Sequence, residues 1–382
     1  MYSRNIVLPT QKSFFVFGPR GVGKSTLVRT RYPNAKYIDL LDSRVYQRLL
    51  ADPGALLDLI PTNHLDYVIL DEVQKIPALL NEVHRLIESQ QMKFILTGSS
   101  ARKLRRGGVN LLAGRALTYR LSALTAEESG NDFDLTLAIK FGMLPEVLNA
   151  AKEEDKARYL LSYIDTYLKE EVMQEGLTRN LSAFTRFLQV ASFSVGSTLN
   201  VSEIAREIMI ERKVVESYFQ ILEDLMLGIR ISAFTKRAKR ELVAKPKFYF
   251  FDTGVYQTLR PRNVLDSENE VGGAALENLF LQNVLATIVN EVERYEISYF
   301  RTVAGSEVDF VIHGKDKLLA IEIKNSPRFS SSWLRGLKQF GKDYPEAKMY
   351  LLYTGRERLY IKGVEVVPIG EFLREMSHFM GL

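Results

Sequence analysis

Apolar runs of strand length at residues 13–17, 35–39, 67–70 and 93–97 alternate with helical patterns through the first part of the chain. That alternation is the rhythm of a parallel sheet flanked by helices. From about Glu127 to Leu227 the apolar positions recur every three or four residues, as in 158–172 and 214–227, which predicts almost continuous helix. After Lys245 strand-length runs return at 248–251, 297–300, 308–312, 318–323 and 349–352, with a long helix predicted over 274–289. The expected class is α/β: a parallel sheet, a helical middle, then a second α/β domain.

The first strand runs into Gly18-Pro19-Arg20-Gly21-Val22-Gly23-Lys24-Ser25-Thr26, and a helix follows. This is the phosphate-cradling G-x-x-x-x-G-K-[ST] pattern in its strand–loop–helix setting. Three glycines let the backbone turn its N–H groups toward phosphate oxygens, and the helix N-terminus adds the positive end of its dipole. Lys24 is expected to reach the β- and γ-phosphates of ATP, and Ser25 to ligate Mg²⁺.

The strand at 67–70 leads into Asp71-Glu72. The first acid is assigned to Mg²⁺ and the second to polarising the attacking water. The strand at 93–97 leads to Gly98-Ser99-Ser100, and Ser99 is the candidate for sensing the γ-phosphate. Arg115, in Leu112-Ala113-Gly114-Arg115, is the candidate for a transition-state cation. It would act in cis, act in trans in a homo-oligomer, or simply pair with a surface acid, and the sequence leaves these open.

Together these motifs resemble a bacterial and archaeal family of AAA-superfamily ATPases with a C-terminal domain of unknown function. The resembling segments are the loop at 18–26, Leu70-Asp71-Glu72-Val73-Gln74-Lys75-Ile76-Pro77, Leu96-Thr97-Gly98-Ser99-Ser100-Ala101 and the stretch ending in Arg115. The likeness continues through Phe141-Gly142-Met143-Leu144-Pro145 and through Lys245 to Gly254, with Phe251-Asp252-Thr253-Gly254 at its end. Met143 stands where the family usually shows a second glycine.

Residues 198–233 read as a short helix, a turn, a second helix and a strand, the order of a winged helix-turn-helix, which the resemblance also implies. Glu216, Glu223 and Asp224 make the second helix a poor groove reader, because phosphates repel them. Lys236, Arg237, Lys239, Arg240, Lys245 and Lys247 form a basic stretch interrupted only by Glu241. As an exposed hairpin it would track a nucleic-acid backbone without reading sequence.

Asp309, a gap of twelve residues, then Glu322-Ile323-Lys324 is the pattern of restriction-endonuclease-like and resolvase-like nucleases. Strand alternation puts Glu322 and Lys324 on one face. Asp309 and Glu322, with Glu277 as a third carboxylate, would hold Mg²⁺, and Lys324 would orient or deprotonate water. Arg335 and Lys338, on the next helix, suit a phosphate.

The expected domains are therefore a P-loop ATPase at 1–125, a helical lid-like region at 126–195, a winged helix at 196–260 and a restriction-endonuclease-like domain at 261–382. A chain of 382 residues is long enough for two or three cores. The absence of cysteine excludes disulfides, thiolate zinc sites and cysteine nucleophiles, and fits the cytoplasm. Neither a leader nor a membrane span is expected from the hydrophobic pattern. A net charge of +5 permits an anionic partner, and DNA is expected ahead of RNA. The functional expectation is an ATPase coupled to nucleic-acid processing. Its rival is an ATP-dependent signalling or assembly switch whose C-terminal domain is catalytically inactive and docks a partner.

Overall fold

Phe14, Phe15, Val16 and Phe17 are buried on both faces of β1 (Ser13–Phe17), as a strand in a covered parallel sheet must be. The computed structural model describes residues 2–61, 66–102, 104, 112–168, 172, 180–236, 242–261, 268–289, 295–314 and 316–381. The chain divides into two compact units, one of residues 4–123 with 224–226, the other of 1–3, 124–223 and 227–382.

In the first unit β1 is joined by β2 (Lys36–Asp39), β3 (Val68–Asp71), β4 (Phe94–Gly98) and β5 (Ala116–Arg120). The sheet order is β2-β3-β4-β1-β5 and every neighbouring pair is parallel. Ordered this way, the C-terminal ends of β1, β3 and β4 lie together at one edge, where open α/β sheets carry their ligands. One face packs Phe15, Phe17, Leu70, Leu80, Val83 and Leu96 into a common core. β5 escaped the sequence reading because its residues are mostly exposed at the sheet edge.

The second unit is α/β as well. Helices Leu135–Phe141, Glu153–Ser162, Leu181–Ser192, Val201–Glu207 and Arg212–Asp224 precede an eight-stranded sheet. Its strands are β6 (Gly228–Ala233), β7 (Lys247–Phe250), β8 (Glu296–Arg301), β9 (Glu307–His313), β10 (Leu318–Lys324), β11 (Lys348–Tyr353), β12 (Leu359–Ile361) and β13 (Val364–Pro368). They lie in the order β12-β13-β11-β10-β9-β8-β6-β7. The helix Glu268–Ile288 comes before β8, and Arg335–Asp343 makes the crossover between the parallel strands β10 and β11. The two helices read as a helix-turn-helix lead into the antiparallel pair β6–β7, and β6 continues the large sheet by pairing parallel with β8.

The two distant segments at 141–145 and 251–254 interlock. Gly142 has φ of 75°, and a Cβ there would lie 2.2 Å from Asp252 Oδ1. A Cβ on Gly254 would lie 1.9 Å from the Phe141 carbonyl oxygen. Asp252 accepts the Met143 N–H at 2.8 Å and the Val255 N–H at 3.1 Å. Met143 itself is fully buried and its carbonyl takes the Leu124 N–H. Both glycines are thus demanded by close backbone approach, and the carboxylate ties the two loops together.

Candidate functional site

The loop after β1 owes its shape to two left-handed glycines, Gly21 at φ 81° and Gly23 at φ 92°. Gly18 has no room for a side chain, since a Cβ would stand 2.2 Å from the Leu121 carbonyl oxygen. The helix Lys24–Arg31 begins at Gly23 with no side-chain cap and no acid in its first turn, so that end keeps its positive character. Lys24 is buried and donates to the carbonyls of Gly18 (2.8 Å) and Pro19 (3.0 Å), holding its ammonium over the loop. Pro19 and Val22 are buried, and Arg20, Ser25 and Thr26 are more accessible.

Arg4 braces this loop from behind. Its guanidinium donates to the carbonyls of Val22 (3.2 Å), Ser122 (2.6 Å) and Ala123 (3.3 Å), joining the loop to the segment after β5. A lone arginine near the start of a chain carries no motif, and no sequence signal pointed to it.

Asp71, at the end of β3, is buried and receives the hydroxyls of Thr97 and Tyr37. Tyr37 also hydrogen-bonds Ser25. Burial and then the Asp71 hydrogen bond raise the Tyr37 phenol well above its ordinary range, so it stays a donor. Ser25 and Asp71, assigned to Mg²⁺ from sequence, therefore meet at one phenol. This is a hard oxygen donor set of the kind Mg²⁺ takes.

Glu72 follows in a left-handed conformation, φ 63°, that non-glycine residues rarely adopt. Its backbone N–H is held by Thr97 Oγ1 at 3.2 Å, and its carboxylate by the Gln74 amide at 2.5 Å. The same amide nitrogen reaches Ser99 Oγ at 3.2 Å. Gln74 is buried, and a Cβ on Gly98 would lie 2.5 Å from its Oε1. The structure thus brings Lys24, Ser25, Asp71, Glu72 and Ser99 to one sheet edge. Tyr37, Gln74 and Thr97 belong there too, although the sequence reading gave them no role. Arg115 pairs with Glu88 on the surface.

In the second unit Asp309 and Glu322 fall opposite each other, because the antiparallel register of β9 and β10 continues from Phe310 with Ile321. Asp309 Oδ2 accepts the Ile323 N–H at 2.8 Å, and Glu322 Oε1 pairs with Lys324 Nζ at 2.6 Å. Glu277 accepts the Tyr249 hydroxyl at 2.8 Å. Lys247 pairs with Glu307 at 2.7 Å and lies 3.9 Å from Asp309.

Lys247 corrects the reading of an exposed basic hairpin. It is buried, because strand alternation turns Lys247 and Tyr249 of β7 to the same face as the acids. Lys236 is exposed and pairs with Glu296, whereas Arg237, Lys239, Arg240 and Glu241 lie outside the described residues.

The carboxyls of this cluster repel one another in a buried setting. Burial, then the charge of Asp309, push Glu277 up to about 7. The same two causes hold Glu322 well above the carboxylate range. Burial opposes the charge on Lys324, but Asp309 and Glu322 outweigh it and hold the ammonium up at about 12. Glu322 Oε2 is buried with no hydrogen-bond partner. Among the described residues no three Asp, Glu or His side chains converge closely enough to hold a metal ion. The set Glu277, Asp309 and Glu322 therefore stands as two opposed carboxyls and a third tied to Tyr249.

Residues 10–130 match a family model described as an AAA domain, which supports an AAA-type P-loop domain and nucleotide binding there. Residues 132–266 and 272–372 match two models described as domains of unknown function, DUF8612 and DUF4143. An uncharacterised protein of Mycobacterium tuberculosis is 26% identical over 363 residues, covering 93% of this chain and 80% of the relative. One of Haemophilus influenzae is 19% identical over 372 residues, covering 93% and 88%. A solved structure, protein VC1899 from Vibrio cholerae, aligns over 97% of both chains at 11% identity with a TM-score of 0.25. No helix among the described residues is long and apolar enough to cross a membrane.

Proposed function

We propose that the chain is a Mg²⁺-dependent ATPase whose nucleotide cycle governs how its second unit engages DNA. The observation that carries this reading is the convergence of the glycine loop, Lys24, Asp71, Glu72 and Ser99 at one edge of a parallel sheet. In it the loop N–H groups and Lys24 bind the triphosphate. Ser25 and Asp71 hold Mg²⁺, which neutralises phosphate charge when bound. Glu72 takes a proton from water at the γ-phosphate, Gln74 keeps its carboxylate in place, and Ser99 reads whether the γ-phosphate is there. Lys24→Ala should weaken nucleotide binding about 10–100-fold, as loss of a charge-assisted contact does. Unchanged binding of a fluorescent ATP analogue to that variant would refute the site.

The cluster of Asp309, Glu322 and Lys324 supports a second unit that handles phosphodiesters, with DNA-stimulated ATP turnover as the expected sign of coupling. A second reading, the assembly switch with an inactive docking domain, is favoured by one observation: each carboxyl already has its own partner within the protein. Cleavage of single-stranded, duplex and branched DNA and RNA in Mg²⁺ or Mn²⁺, compared with Asp309→Ala and Lys324→Ala, separates the two. Cleavage lost in both variants makes the second unit a nuclease. Intact binding without cleavage makes it a gripping module. ATP turnover indifferent to every nucleic acid favours the switch.

A further inference from the structure

The helix Arg335–Asp343 buries one side and charges the other. Leu337 and Phe340 enter the core of the second unit, together with Leu334 just before the helix. Gly336 lets the helix lie directly on β9, for a Cβ there would stand 1.7 Å from the Glu307 carbonyl oxygen. Arg335, Lys338 and Lys342 occupy positions i, i+3 and i+7, which the helical period gathers into one stripe on the opposite side. Among the described residues none of the three pairs with a carboxylate, and Asp343 of the same helix is buried. Elsewhere in the same unit Arg212, Lys348 and Arg358 each have an acid.

The stripe faces a groove of about 590 Å³. Its other wall is the β8–β9 turn, where the backbones of Thr302 and Ser306 are hydrogen-bonded to each other, and Ser332 joins at the head of the helix. Glu307, next to Ser306, is engaged by Lys247 and Arg301 and puts no free charge against the stripe. Three cations with no opposing acid among the described residues, and a set of hydroxyls along one groove, match the charge and hydrogen-bonding of a nucleic-acid backbone. Arg335 to Lys342 rises about 10 Å along the helix, the axial length of roughly three phosphate-to-phosphate steps on one DNA strand.

We propose that this groove binds the sugar–phosphate backbone of DNA, contacting about three consecutive phosphates without reading base sequence. The proposal rests on the DNA-engaging reading of the second unit and says where that engagement occurs.

The test is fluorescence anisotropy of the full chain with labelled single-stranded and duplex oligonucleotides across a salt series. The variants are Arg335→Gln/Lys338→Gln/Lys342→Gln and, as a control of equal charge, Arg212→Gln/Lys348→Gln/Arg358→Gln. The groove variant should bind at least tenfold more weakly, with its log–log salt slope shallower by roughly 2–3, as loss of three phosphate contacts requires. The control should bind within about twofold of the wild type. Circular dichroism and thermal melting of the groove variant should match the wild type. A wild-type chain that binds no oligonucleotide at low salt overturns the DNA reading and the groove together. Wild-type binding that survives in the groove variant, or falls equally in the control, overturns the groove alone.

Discussion

One amide nitrogen of Gln74 donates to Glu72 at 2.5 Å and to Ser99 at 3.2 Å, so the acid after β3 and the hydroxyl after β4 share a single side chain. A change at Ser99 has a direct mechanical route to the carboxylate of Glu72. The strained backbone of Glu72, which costs on the order of 1 kcal/mol, is held by Thr97 from the same side.

Glu72→Gln should therefore keep nucleotide affinity and lose about 10²–10⁴-fold in kcat, the range a positioned base contributes. Gln74→Ala should lower kcat by about tenfold with KM for ATP unchanged, because only the orientation of Glu72 is lost. Steady-state kinetics on both variants decides. A raised KM with normal kcat in Gln74→Ala would assign Gln74 to ground-state binding instead.

Arg115 is paired with Glu88 and that pair is exposed, so its removal should leave the melting temperature unchanged. ATP turnover by Arg115→Ala distinguishes its roles. A loss of about 10³-fold or more would mean that Arg115 leaves Glu88 to reach the γ-phosphate during the cycle. Unaltered turnover would leave it a surface partner. Light scattering with a nonhydrolysable ATP analogue adds the oligomer: a monomer under those conditions excludes an arginine supplied by a neighbour.

Gly254→Ala should lower the unfolding free energy by about 1–3 kcal/mol, the usual cost of overpacking, because its new methyl meets the Phe141 backbone. Urea denaturation measures it. A change within experimental error would show that the two loops can part without cost.

Asp252 links stability to pH. Burial raises its carboxyl from 3.8 to about 6, against the N–H bonds of Met143, Val255 and Gly254. The folded form therefore holds its proton more tightly than the unfolded one. The stabilisation this gives is complete below the unfolded value and is lost as pH rises through about 6, a total of roughly 3 kcal/mol. Asp252→Asn should flatten the pH dependence of unfolding between pH 4 and 7 by about that amount. Parallel pH profiles for the two proteins would contradict the assignment.

Much of the fold was legible because the signals were local. Phe15 and Phe17 mark a covered strand, and the glycines at 18, 21 and 23 mark a turn that only glycine permits. The elements of the second sheet that bear Asp309 and Glu322 read correctly for the same reason, and strand alternation puts Glu322 and Lys324 on one face, but the facing of Asp309 and Glu322 comes from the antiparallel register of β9 and β10. What stayed illegible depended on partners far away in sequence. Arg4 acquires its place only when Ser122 and Ala123 arrive beside Val22. Lys247 looked like one more exposed cation until β7 turned it toward Glu307, some sixty residues later. The pairing of β6 with β8 spans a similar distance, and nothing in either strand names the other.

That last pairing sets an order on synthesis. β6 leaves the ribosome roughly seventy residues before β8, and β7 roughly fifty, which at about 5–20 residues per second means several seconds without the neighbour that completes β6. Through that interval the nascent hairpin presents an open strand edge, the kind of surface that captures other chains. A truncation that ends before β8 would make the exposure permanent, so the helical middle of this protein is a poor candidate for expression without the strands that follow it.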